Sequence, residues 1–360
     1  MKLNEICEVY SGYALKAFND AEDGLPVIKI GNILTDGTLN LEECQYTTDS
    51  VNEKYYSQRG DIYIALSGAT TGKIGIMDAG EKYVINQRVG IVRQKSDDVP
   101  QEYIKYFLLR QTDRILQEAA GCAQPNISPK QIAEYVIPDT SQEKMQEICE
   151  VLDRIKKIID SRKAEMSALD DLIKARFVEL FGDPIINSKD LETRDLKDVL
   201  VLKAGDFTAA SDISAEPTEI NIYPCYGGNG IRGYVAEYNQ EGEYSLIGRQ
   251  GALSGNVQYA MGKFKNTEHA LLVTPMIQMN SIWLNQLLLN LDLKRYQTGA
   301  AQPGLSIKNL QDIQVLMVPI DEQSAFADFV RQVDKSKVAV QKALDETQLL
   351  FNSLMQKYFG

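Results

Sequence analysis

The chain holds one histidine, His269, in 360 residues. That scarcity argues against a histidine-based triad and against a metal centre. The five cysteines (Cys7, Cys44, Cys122, Cys149, Cys225) are scattered, with no C-x-x-C pair. They read as reduced cytosolic thiols, neither a disulfide frame nor a zinc site. No run of about eighteen apolar residues occurs, so no membrane span is expected. Met1-Lys2-Leu3-Asn4-Glu5 lacks the apolar stretch of a secretory signal, which points to the cytoplasm. A basic excess is missing too. The net charge is −12, and no region escapes it: residues 1–140 carry 14 basic against 20 acidic side chains, and 183–319 carry 11 against 15. A nucleic-acid role would need local basic patches, or partners that supply phosphate contacts.

Catalytic signatures are equally scarce. There is no H-E-x-x-H, no nucleophile elbow, no nuclease carboxylate–lysine cluster and no Asn-Pro-Pro-Tyr-like run of amino-methyltransferases. Gly228-Asn229-Gly230-Ile231-Arg232-Gly233 fits the dinucleotide pattern in letters only. Tyr223-Pro224-Cys225-Tyr226 does not read as a buried parallel strand, and no helix is expected after Gly233. Gly68-Ala69-Thr70-Thr71-Gly72-Lys73 is one residue short of a phosphate loop, with Ile74 where a magnesium-binding Ser or Thr belongs. These absences favour binding over catalysis.

What the chain does have is a duplication. Gly121-Cys122-Ala123-Gln124-Pro125-Asn126-Ile127-Ser128 returns as Gly299-Ala300-Ala301-Gln302-Pro303-Gly304-Leu305-Ser306. Each copy leads through a proline into a long helical pattern that ends on Phe-Gly, at 181–182 and 359–360. Leu3-Asn4-Glu5-Ile6 matches Leu196-Lys197-Asp198-Val199, and each precedes a small-residue–Gly step, Ser11-Gly12 and Ala204-Gly205. Gly68–Gly72 matches Gly251–Gly255, and Ile85-Asn86-Gln87 is aligned with Thr267-Glu268-His269. A duplicated chain can offer two similar surfaces to two copies of one partner.

Residues 1–140 and 183–319 read as two strand-rich domains, each with a helix near 101–118 or 280–294. Residues 141–182 and 320–360 read as long helices. Met145, Leu152, Ile159, Met166, Ile173 and Leu180 recur every seven residues, as do Phe326, Val333 and Val340. At about 1.5 Å per residue each helix is roughly 55–60 Å long. One small domain cannot bury that length, so an antiparallel pair is expected. Arg162, Lys337 and Thr347 interrupt the apolar seam, either snorkelling out or fixing register.

Polar loop residues supply the remaining signal. In the first domain these are Lys16, Asn32, Ser67, Thr70, Thr71, Lys73, Asn86, Gln87 and Arg88. In the second they are Asn229, Arg232, Arg249, Gln250, Ser254, Asn256, Lys263, Lys265 and His269. Arg, Lys, Asn and Gln match the donors and acceptors of base edges. Any one of them alone is an ordinary surface residue, and they matter only as matched clusters.

Together these marks resemble the DNA-specificity subunits of type I restriction–modification systems, over both domains and both helices. The marks are Gly60-Asp61-Ile62-Tyr63-Ile64-Ala65-Leu66-Ser67-Gly68 with Gly72-Lys73, Ile85-Asn86-Gln87, Tyr226–Tyr234, Leu246–Gly251, Thr267–Ala270, the Gln-Pro loops and the Phe-Gly helix ends. The resemblance implies an α+β fold with two similar target-recognition domains in pseudo-two-fold arrangement, joined by two long helices packed as an antiparallel coiled coil. It implies a non-catalytic subunit that reads a bipartite, asymmetric DNA sequence in double-stranded DNA. It implies docking of two modification (methyltransferase) subunits and, through them, restriction subunits. S-adenosylmethionine, ATP and magnesium would sit on those partners and none on this chain. A module of a related phage-defence system, an enzyme with a non-standard site and a coiled-coil scaffold without a DNA role are the alternatives.

Overall fold

The computed structural model describes the whole chain except residues 21–23, 121–124, 252 and 300–302. Residues 121–124 of the first Gln-Pro loop and 300–302 of the second therefore lie outside the described residues. The chain divides into two compact units, Met1–Ser161 with Ala343–Gly360, and Arg162–Lys342.

Unit 1 opens with a short helix, α1 (Leu3–Ile6), and seven strands follow: β1 (Cys7–Ser11), β2 (Leu25–Ile28), β3 (Gln45–Thr47), β4 (Ile62–Ala65), β5 (Ile74–Ile76), β6 (Val84–Ile85) and β7 (Val89–Gln94). They form two sheets, β1-β7-β4-β5 and β3-β2-β6, with β2 and β6 parallel. β4 is buried along its whole length, which suits its run Ile-Tyr-Ile-Ala. Helices α2 (Gln101–Arg110), α3 (Thr112–Ala119) and α4 (Pro129–Ala133) follow. The single helix expected near 101–118 is thus broken at Gln111. The first long helix, α5 (Gln142–Phe181), starts in this unit, and Ser141 Oγ caps it by accepting from Lys144 N at 3.3 Å.

Unit 2 contains β8 (Thr193–Asp195), α6 (Leu196–Val199), β9 (Leu200–Ala204), β10 (Tyr223–Gly227), β11 (Gly230–Val235), β12 (Gln240–Gly248), β13 (Val257–Asn266) and β14 (Ala270–Pro275). Then come α7 (Ser281–Asn290), α8 (Ile307–Leu310), β15 (Gln314–Leu316) and the start of α9 (Ile320–Phe359). Its main sheet has the order β11-β10-β13-β12-β14-β9. β10 pairs with β13 in parallel over Cys225 and Tyr226, so Tyr223–Gly227 is a strand after all. The dinucleotide reading still fails, because the glycine segment turns straight back into antiparallel β11. Helix α7 ends at Asn290, and a 3-10 turn covers Leu293–Tyr296.

Apolar burial ties each unit to its share of the long helices. In unit 1, Met145, Ile148 and Leu152 of α5 join Tyr103, Phe107, Met355 and Phe359 in one core. The Phe359 ring lies 4.9 Å from that of Tyr103. In unit 2, Phe177 and Phe181 pack edge-on against Phe326 of α9, both at 5.6 Å; Trp283 of α7 meets Phe181 edge-on and Phe177 at a tilt of 31°. Full burial of each such ring is worth about 1.5–3 kcal/mol. The Phe that closes each heptad run is therefore a core anchor. Within unit 2 the helices run antiparallel: Lys337 meets Asp170 at 2.6 Å, while Phe326 meets Phe177. Lys337 thus answers a carboxylate on the facing helix rather than snorkelling away. Thr347 Oγ1 bonds its own helix at Ala343 O, and the buried Nε of Arg162 has no hydrogen-bond partner.

Candidate nucleic-acid interface

The two units share a hydrogen-bond skeleton residue by residue. In unit 1, Gly68 N donates to Pro125 O, Thr71 N to Gly68 O, Gly72 N to Ala65 O, and Ile127 N to Leu66 O. In unit 2, Gly251 N donates to Pro303 O, Ser254 N to Gly251 O, Gly255 N to Gly248 O, and Leu305 N to Arg249 O. Leu66 N donates to Arg88 O as Arg249 N does to His269 O. Ser128 Oγ and Ser306 Oγ cap α4 and α8 in the same way. These bonds equate Leu66 with Arg249, Ser67 with Gln250, Thr71 with Ser254, Lys73 with Asn256 and Arg88 with His269.

That register corrects one sequence alignment by a single residue. Ile85 corresponds to Asn266, Asn86 to Thr267, Gln87 to Glu268 and Arg88 to His269. The physical reason is a close crossing of two backbone segments. A Cβ at Gly12 would lie 2.6 Å from the Ile85 carbonyl carbon, and a Cβ at Gly205 would lie 2.7 Å from Thr267 O. Gly12 and Gly205 match in the sequence, but the stretch from glycine loop to crossing is longer in unit 1, Gly72 to Asn86, than in unit 2, Gly255 to Thr267, which hides the offset.

The crossing gathers three loops in each unit. In unit 1, Ser11, Ser67, Gln87, Arg88, Asn126 and Ser128 line a cavity of about 510 Å³. Gln87 and Arg88 are exposed. Asn86 is buried, and its Oδ1 accepts from Arg88 N at 3.2 Å, so it shapes the turn that presents Arg88. Thr71 is likewise buried, with its hydroxyl spent on Gly68 O at 2.7 Å. The Thr70 hydroxyl is buried without a partner. Lys73 is half-buried, and its carbonyl is used by Ala65 N. Lys16 is exposed on the segment after β1, which its backbone N ties to Asp49 at 2.7 Å. Asn32, another sequence candidate, is buried and holds Asn40 O and Glu43 O.

In unit 2 the same place holds different chemistry. His269 Nδ1 meets Gln250 Oε1 at 2.8 Å, and Nε2 faces Glu268 Oε1 at 3.2 Å. Arg249 reaches Glu268 O at 3.4 Å. Asn229 Oδ1 accepts from Asn256 Nδ2 at 2.9 Å, joining the β10–β11 turn to the glycine loop. Arg232 is exposed on β11, its stem lying over Gly227. Ser254 is fully buried, so like Thr71 it belongs to the scaffold and presents nothing at the surface.

Lys263 and Lys265 stand apart from that cluster along β13. Lys263 stacks over Tyr238 at 4.8 Å, and the Tyr238 hydroxyl, with Glu241, raises its pKa above the ordinary lysine value. Lys265 faces Asp206 at 3.6 Å. The Asn239 amide, then Lys265, hold the Asp206 carboxyl below the usual range. Ser11, Asn126 and Glu268 are not among the residues singled out from the sequence, although each lies in a motif that the repeat marks: the Ser11-Gly12 step, the Gln-Pro loop and Thr267-Glu268-His269.

Among the described residues no group of His, Cys, Asp or Glu is arranged to hold a metal ion, and no helix is long and apolar enough to cross a membrane. The family model of the type I restriction modification DNA specificity domain matches residues 1–169 and 188–347. The chain is 35% identical over 201 residues to the type I restriction enzyme EcoprrI specificity subunit of Escherichia coli, covering 55% of this chain and 50% of that one. It is 26% identical over 179 residues to the MjaVIII specificity subunit of Methanocaldococcus jannaschii, covering 47% and 42%. These matches span half or less of the length of the curated relatives. The crystal structure of the type I restriction–modification S subunit from M. genitalium superposes with a TM-score of 0.57 at 18% identity, covering 100% of this chain and 95% of that one. A chain solved in work on complex assembly and conformational transition of the type I R-M system gives 0.57 at 15% identity, covering 100% and 96%.

Proposed function

The chain belongs to the family of type I restriction–modification DNA-specificity subunits, and from that premise we propose that it reads a bipartite, asymmetric sequence in double-stranded DNA and performs no chemistry itself. The supporting observation is the shared hydrogen-bond skeleton carrying different side chains: Ser67, Gln87 and Arg88 in one unit, where Leu66 turns into the core, and Arg249, Gln250, Glu268 and His269 in the other. One scaffold used twice with different polar tips suits two different half-sites. Arg and Gln are the side chains whose paired donors and acceptors fit guanine and adenine edges. Lys16, Asn229, Arg232, Asn256, Lys263 and Lys265 flank these centres and fit backbone contacts.

The long helices, 141–182 and 320–360, would dock two methyltransferase subunits and, through them, restriction subunits. Residues 1–140 and 183–319 would be the two recognition domains. S-adenosylmethionine, ATP and magnesium then act on the partners, in the cytoplasm. Partner phosphate contacts offset the acidity of this chain.

The test is adenine-methylation sequencing in a host that expresses the chain with its methyltransferase. A two-part motif is expected, and Arg249→Ala should relax one half while the other stays intact. Methyl transfer by the purified chain alone, or a motif that is not bipartite, refutes the reading.

A further inference from the structure

Resting on that reading, we propose that Phe207 is an aromatic wedge that stacks on a base step of the DNA half-site read by unit 2. Phe207 is 79% exposed, the highest value among the large apolar side chains of the described residues. An exposed phenyl ring held in place is ready to bury its face on something.

Phe207 stands on a pinned stalk. Its neighbour Asp206 donates its backbone N to Asn266 O at 3.1 Å and forms a parallel bridge with Thr267. The Asp206 carboxylate is held by Asn239 at 2.9 Å. On the far side, Asp212 N closes a turn on Ala209 O. The ring therefore leaves the backbone beside the strand that runs directly into Glu268 and His269.

The surroundings favour a nucleic acid over a protein. Lys265 faces the carboxylate of Asp206, the residue next to Phe207, at 3.6 Å, and Lys203 acts on the same carboxylate, so cationic side chains gather at the base of the stalk on a chain of net charge −12. Thr208 and Asn239 both bond Asp206 and add polar groups there. Cationic side chains around a lone aromatic suit phosphates around a stacked base.

The feature is confined to one unit. By the register of Gly12 with Gly205, the residue in the place of Phe207 in unit 1 is Ala14. Stacking should therefore affect the second half-site alone.

The experiment uses the complex of the full chain with its methyltransferase, and duplexes carrying both half-sites with 2-aminopurine placed along each. Phe207→Ala should weaken duplex binding about 5- to 150-fold, the range for losing one aromatic–base stack. It should also abolish the 2-aminopurine fluorescence change in the second half-site only. Phe207→Trp should retain both. Chain–methyltransferase association without DNA should be unchanged. Wild-type affinity in Phe207→Ala overturns the proposal, as does a loss confined to the first half-site. Weakened association with the methyltransferase in the absence of DNA makes Phe207 a protein anchor and overturns it too. If the wild-type complex itself binds without sequence preference, the proposed function fails and this inference falls with it.

Discussion

Replacing Gly205 by alanine tests the backbone crossing on which the second reading surface rests. The added Cβ would lie 2.7 Å from Thr267 O and closer still to Asn266 O. Cβ atoms in real proteins essentially never approach within 3.0 Å, and both obstacles are backbone, which cannot rotate aside. β9 must therefore part from the 266–267 segment by a few tenths of an ångström to about an ångström, at a cost of about 1–3 kcal/mol. A unit of this size loses about 2–4 °C per kcal/mol, so the unit 2 transition should fall by about 2–12 °C. Because the displaced segment continues into Glu268 and His269, recognition of the second half-site should weaken as well. Gly31→Ala is the control, since nothing lies within 4 Å of its Cβ. Scanning calorimetry of both variants, with duplex binding by the methyltransferase complex, reads the outcome. A Gly205→Ala protein that melts and binds like the Gly31→Ala protein refutes the reasoning.

Arg93 makes two bonds to the buried Asp61 carboxylate, at 2.8 and 2.6 Å. Arg93→Ala leaves that carboxylate uncompensated and should cost unit 1 about 3–5 kcal/mol in chemical denaturation; a loss under about 1 kcal/mol would refute the assignment. Burial pushes the Cys7 and Cys149 thiols up to about 12. The unfolded chain releases those protons near pH 8.5 while the fold keeps them, so under reductant stability should fall between about pH 8.5 and 12, by about 1.4 kcal/mol per pH unit at most for each thiol, and a flat denaturation profile there would contradict it. Exchanging the reading side chains on the common scaffold (Ser67→Gln, Gln87→Glu, Arg88→His) should shift the first half of the methylated motif toward the second; a folded variant that keeps its old motif shows that these three positions do not choose the bases.

Repetition made most of this architecture readable. The small-residue–Gly steps, the Gln-Pro loops and the Phe-Gly helix ends recur because the same contact recurs: a glycine under a crossing strand, a serine cap, a ring in the core. Heptads announced both long helices, since a seven-residue apolar period has few other solutions. Site chemistry was less readable. Thr71, Asn86 and Ser254 are polar residues in reading loops, yet each is buried, Thr71 and Asn86 bonding within their own loops, and composition does not separate a buried polar side chain from one offered to solvent. The one-residue offset at 85–88 and 266–269 was hidden for a related reason. Unit 1 splits into β5 and β6 what unit 2 builds as the single strand β13. Spacing along the chain therefore misleads where hydrogen bonds do not.

The same skeleton explains how two half-sites can diverge without risk to the fold. The groups that build the crossing are backbone amides and carbonyls with buried small side chains, and they are alike in both units. The groups that differ are the side chains at the tips. The guanidinium comes from opposite arms of the crossing, from Arg88 on the strand-end turn in unit 1 and from Arg249 on the glycine loop in unit 2. Leu66 and His269 take the complementary places. Arg88, Arg249 and His269 lend only their backbone to the pairs Leu66 N–Arg88 O and Arg249 N–His269 O, so a substitution at any of these three changes what is presented and leaves those scaffold hydrogen bonds intact, whereas the Leu66 side chain is buried in the core of unit 1. Stability is therefore uncoupled from the identity of the tips, and that uncoupling is the physical condition for one duplicated domain to carry two unrelated recognition sequences.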